Sequence, residues 1–179
     1  VTARSRRAFD AAGALSGLDA LLTEPLAGAG AATADEGAPD TGEWTATKGA
    51  GFVLVPLWEG EALTGVYAQE WSAAEEAAEG HLAALVRELD GRWGAHRAVG
   101  MRVPLFRAQA GEPLPEPFQA LADHDCFGDL AVWGPVTAAP GAGPRWVAVS
   151  LNQSDGDAPM ILTALVTDRP ITEPAERSA

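Results

Sequence analysis

Residues 72–93, SAAEEAAEGHLAALVRELDGRW, decide how the rest of the chain is read. Ala74, Ala78, Leu82, Leu85, Leu89 and Trp93 recur at spacings of three and four, which places them on one face of a helix. Glu76, Ala83, Arg87 and Asp90 fall on the opposite face, so the segment covers an apolar surface on one side and meets water on the other. Ser72 and Glu75 have the spacing of a capping box, with the hydroxyl accepting from the Glu75 amide and the carboxylate from the Ser72 amide. Glu75, Glu76 and Glu79 then lie near the positive end of the helix dipole, and Gly91 or Gly94 supplies a stop. A helix this amphipathic needs a partner surface.

The flanking sequence offers strands for that surface. Phe52–Trp58, FVLVPLW, is apolar on both faces, as in a strand covered on both sides, and Pro56 points to an edge position or a bulge. Ala62–Gln69 follows after Glu59-Gly60-Glu61 and is predicted to close a hairpin with it. Beyond the helix, Ala98–Val103 reads as a strand ending at Pro104. One or two short helices are expected in 104–125, the best candidate being Glu116–Ala122. Asp129–Trp133, Arg145–Leu151 and Met160–Thr167 read as a meander of strands, the last apolar on both faces and suited to the middle of a sheet. Strands in consecutive runs around one long helix predict an α+β fold, with a mostly antiparallel sheet of about five to six strands and helix 72–93 on one face.

The N-terminal part reads differently. Residues 4–23 carry a weaker helical stripe through Ala11, Ala14, Leu15, Leu18, Leu21 and Leu22. Residues 27–42 are rich in Gly, Ala, Asp and Pro with no apolar period, as in a flexible linker. The expected division is an N-terminal helical segment (1–26), a linker (27–42), a single α+β domain (43–168) and a tail (169–179).

Charge narrows the function classes. With a formal charge of −13 and a pI of about 4.5, nucleic acid and anionic membrane surfaces are repelled, and a partner, if there is one, is expected to be a basic protein. Arg4, Arg6 and Arg7 precede a domain of opposite sign and are expected to fold back on it. One Lys against eleven Arg, among abundant Ala and Gly, fits a GC-rich bacterial coding bias. The lone Cys126 excludes an intrachain disulfide and fits a reducing compartment, and no apolar run has the length to cross a bilayer. A cytoplasmic location is therefore expected.

No phosphate-binding loop, dinucleotide fingerprint, nucleophile elbow or paired CxxC occurs, and no cofactor is expected. The one chemically suggestive cluster is Asp123-His124-Asp125-Cys126 with Asp129. His124, Cys126 and Asp125 are candidates for a thiolate–imidazole site, and His124, Cys126 and Asp129 for a metal. Sequence neighbours point in different directions, so either site needs recruits such as His81 or His96. The plainer reading has an aspartate turning the chain, His124 exposed and Cys126 as a small buried residue. Asn152–Asp157, NQSDGD, lacks the alternating acids of a calcium loop and reads as a turn. Trp58, Trp71, Trp133 and Trp146 are candidates for a binding face, since tryptophan joins large area to a polar handle. The first expectation is thus a non-enzymatic domain of inhibitor, immunity or accessory type that binds a protein partner. The alternative is a small enzyme or ligand-binding protein with a pocket between helix 72–93 and the sheet, using His124 and Cys126.

Overall fold

The structure, a computed structural model, describes residues 8–30, 32–35, 43–137 and 143–175. In chain order it contains α1 (Ala11–Thr23), β1 (Thr33–Asp35), β2 (Ala46–Gly49), β3 (Phe52–Glu59), α2 (Ala68–Trp93), β4 (Arg97–Val99), α3 (Arg102–Gln109), α4 (Phe118–Asp123), β5 (Leu130–Val136), β6 (Arg145–Asn152) and β7 (Ile161–Thr167). Among the described residues, seven strands form one sheet in the order β1-β2-β3-β7-β6-β5-β4, every pair antiparallel. The fold is α+β with the long helix on the sheet, as predicted, and the strands number seven rather than five to six.

Strands with apolar residues on both sides require cover on both sides. In β3, Phe52 and Leu54 join Leu165 of β7, Ala148 of β6 and Val132 of β5 in one core, capped by Phe118 and Leu121 of α4 and by Leu114. Val53, with Val147, Val149, Ala164 and Val166, faces the other way against Leu15, Leu18 and Leu22 of α1 and Leu85 and Leu89 of α2. Each fully buried leucine here contributes roughly 1.5–3 kcal/mol. The predicted stripe of α2 is the buried one: Ala78, Leu85 and Leu89 are inside, and Ala74, Leu82 and Trp93 are partly covered.

The predicted hairpin is not formed. β3 pairs with β2 through a turn at Ala50-Gly51 and with β7 on its other side, while residues 60–67 run irregularly into α2. The sequence of 62–69 has no alternation, and its one buried residue, Leu63, anchors the crossing. The helix therefore starts at Ala68, a turn before Ser72, with the Glu70 carboxylate accepting the Tyr67 amide at 3.0 Å. Gly94, at φ 85°, ends it. Pro56 stands where β3 shifts register against β7 and where β2, which reaches only Leu54, no longer flanks it, so it has both a bulge and a local edge. The strand predicted for 98–103 stops at Val99, because Pro104 sits in the first turn of α3, where its missing N–H costs nothing.

β1 lies within the span read as a linker, at the sheet edge beside β2. Residues 31 and 36–42 of that span, and 4–7 of the predicted N-terminal helix, are outside the described residues. α1 packs against α2, β3 and β7. In the span read as a tail, Ile171 is buried in the α4-side core and its carbonyl accepts from Arg97 at 2.6 Å.

Candidate functional site

The loop after α4 joins three structural jobs. Asp123 accepts from Gln119 at 2.8 Å. Gly128 donates its amide to Asn152 Oδ1 at 2.8 Å, and Asp129 Oδ1 accepts the Met101 amide at 2.9 Å, fixing the entry to α3. Asn152 in turn donates to Ser150 Oγ at 2.9 Å and Thr163 Oγ1 at 3.0 Å, a buried network that satisfies the polar side chains of β6 and β7.

His124 is half-buried rather than exposed. Its ring stacks on Trp44 with centroids 3.9 Å apart, and Nε2 lies 2.7 Å from Thr47 Oγ1. Trp44 Nε1 donates to that same oxygen at 2.9 Å. An indole N–H only donates, so the arrangement that uses every group has Thr47 accepting from Trp44 and donating to a neutral His124. Burial holds the His124 pKa below its ordinary value, against the opposing pull of Asp123 and Asp125. Thr47 is itself 4% exposed, so its hydroxyl has no approach for a substrate.

Cys126 is 1% exposed, and burial, with Asp125 adding to it, pushes its thiol up to about 12. The Sγ contacts the His124 carbonyl at 3.4 Å, while His124 Nε2 turns to Thr47. A thiol held protonated at neutral pH is a poor nucleophile. Asp125 is exposed, with φ 53° in the turn. Among the described residues no group of three or more His, Cys, Asp or Glu is placed to hold a metal ion. A broad depression of about 640 Å³ between α3 and α4 is bounded by Asp123, Asp125 and Phe127, and neither His124 nor Cys126 lines it.

The four tryptophans separate. Trp133, 2% exposed, donates to Asp90 Oδ1 at 3.0 Å and to the Gly94 carbonyl at 3.1 Å. Asp90 also receives the His96 amide at 2.9 Å and lies 3.0 Å from His96 Nδ1. Desolvation pushes the Asp90 pKa up, and the hydrogen bonds from His96 and Trp133 outweigh it and leave the carboxyl below its ordinary value. This cluster closes the C-terminal end of α2. Trp146 is partly buried against the α4-side core.

Trp58 and Trp71 meet at the other end of α2, around Leu63, Ala78 and Met160. His81 stacks on Phe9 at 4.6 Å and meets the edge of Trp58 at 4.9 Å, and burial lowers its pKa. Trp71 Nε1 donates to the Gly156 carbonyl at 3.2 Å. Beside them is a hollow of about 310 Å³ floored by Trp58, Leu63, Val66, Ala74, Ala77 and Met160, with Glu61 and Glu70 also lining it. Residue type singles out Trp58 and Trp71 in the sequence but not Glu61, Val66 and Glu70, because residues 62–69 read as a strand and instead form the irregular approach to α2 and its start. The available signal was a pair of glutamates, Glu61 and Glu70, bracketing Leu63, Val66 and Tyr67 with no basic residue between them.

Comparison of the chain with protein-family models, curated proteins and solved structures finds no match.

Proposed function

We propose that this chain is a non-enzymatic domain that binds a protein partner through an acidic surface, the partner's contacting surface being basic. The observation that carries the reading is the sign of the charge on the approach to α2 and on α2 up to Val86, before Arg87 and Arg92. Residues 49–86 contain Glu59, Glu61, Glu70, Glu75, Glu76 and Glu79 and no Lys or Arg. Glu61, Glu70, Glu76 and Glu79 are exposed. A run of exposed carboxylates of this kind accelerates encounter with an oppositely charged partner and disfavours acidic competitors. The enzymatic alternative has less support, because Cys126 is buried and protonated and His124 is engaged by Thr47. Inhibitor, immunity and accessory roles all fit an acidic binding domain.

Native mass spectrometry of the protein isolated from its own host at low salt tests the reading. The expected species is a stoichiometric complex with a polypeptide of basic pI, dissociating as salt is raised. A bare monomer at low salt, or a partner of acidic pI, overturns it.

A further inference from the structure

We infer that the hollow at the N-terminal end of α2 receives one bulky apolar side chain of a basic partner segment, and that Lys or Arg residues flanking this anchor pair with Glu61 and Glu70. The inference rests on the binding-domain reading and locates its contact.

Three observations meet at this hollow. Its floor is apolar and open because α2 presents Ala74 and Ala77 there rather than larger side chains, with Val66 exposed, Trp58 half-buried, and Leu63 and Met160 buried beneath them. Its volume of about 310 Å³ lies at the small end of ligand pockets, which span roughly 300–1,000 Å³, and suits an amino-acid side chain better than a dinucleotide. Large apolar side chains also stand exposed beside it. Among the described residues these are Val66 and Tyr67, the latter 80% exposed, and away from this end only Phe106. Exposed apolar groups gathered at one place, with a polar rim, mark an interaction surface.

The charge then selects the occupant. Glu61 and Glu70 line the hollow, and Asp155 and Asp157 lie on the turn that its wall leans on, through Leu63 N to the Asp157 carbonyl at 2.9 Å and Trp71 Nε1 to the Gly156 carbonyl at 3.2 Å. Residues 146–168 carry no Lys or Arg either. A bare cation makes no use of the floor, a neutral apolar ligand leaves the carboxylates unanswered, and an acidic peptide is repelled. A segment with an apolar anchor between basic side chains answers both. The site is held in shape before binding: Gly60 N donates to the Met160 carbonyl at 2.8 Å, and the Glu70 carboxylate is fixed on the Tyr67 amide at 3.0 Å. Preorganisation of this kind lowers the cost of association.

The test is selection of displayed random peptides on the full chain, followed by titration of the enriched synthetic peptides against variants. Ala77→Arg fills the hollow and puts a cation in it from an exposed helical position, and Glu61→Gln/Glu70→Gln removes the charges while glutamine preserves the cap. Circular dichroism melting confirms that each variant is folded. The expected result is enrichment of peptides with a bulky aliphatic or aromatic residue flanked by Lys or Arg. Ala77→Arg is expected to weaken their binding by about thirtyfold, and the double Gln variant by about fivefold. Basic peptides that bind Ala77→Arg as well as the parent overturn the hollow as the contact while leaving the acidic-surface reading standing. Enrichment of neutral or acidic peptides, or no enrichment at all, overturns the inference. The host-isolated complex then decides the broader reading separately.

Discussion

Gly128 is where the loop after α4 comes against β6: a Cβ there would overlap the carbonyl oxygen of Leu151 and crowd Asn152 Oδ1. A backbone oxygen in a sheet cannot swing aside as a side chain can. Gly128→Ala is therefore expected to cost about 3 kcal/mol or more, measured as a lowered urea midpoint. His124 sets a pH dependence. Its folded-state pKa is depressed, so the unfolded chain binds the proton more readily, and the stabilisation is whole above the ordinary histidine value and lost as pH falls through the lower folded value. The urea midpoint is expected to fall as pH drops below the ordinary histidine value of about 6.5, with His124→Gln flattening the part due to this ring and leaving the His81 part. Little of this was legible beforehand. Cys126 as a small buried residue follows from the apolar habit of free cysteine. The partners of His124 do not, since Trp44 and Thr47 lie far away in sequence and arrive only through β2.

The elements were legible in proportion to their period and length. α2 repeats its apolar stripe over several turns, and that stripe is the buried one, whereas β2 has four residues, one of them Lys48 and one Gly49, and offers nothing to count. Boundaries depended on which of two similar signals the packing chose. Ser72 with Glu75 and Tyr67 with Glu70 have the same spacing, and the second prevails because starting at Ala68 lets Trp71 reach the Gly156 carbonyl and pack with Leu63 and Met160. A pair of substitutions separates the two starts. Glu70→Ala is expected to cost about 1 kcal/mol, Ser72→Ala about zero, read as thermal midpoints. Equal losses would return the cap to Ser72.

At the scale of the molecule, double-sided cover was written in the strands, since Phe52–Trp58 and Met160–Thr167 are apolar on both faces. What covers each face was not, because helix stripes carry no address. α1 illustrates the point: its leucines look like those of an appendage until they are found in one core with Val53, Val147 and Val166. Leu18→Ala is accordingly expected to lower the stability of the whole fold by about 2–5 kcal/mol in a single transition; a separate early transition, or no change, would make α1 an independent unit. β7 has a last consequence. It lies between β3 and β6, joining β1–β3 to β4–β6, and it is the final strand in the chain order of the described elements. In vectorial synthesis, then, β1–β3 have no hydrogen-bonded route to β4–β6 until β7 is made, and the single sheet can close only once residue 167 has emerged.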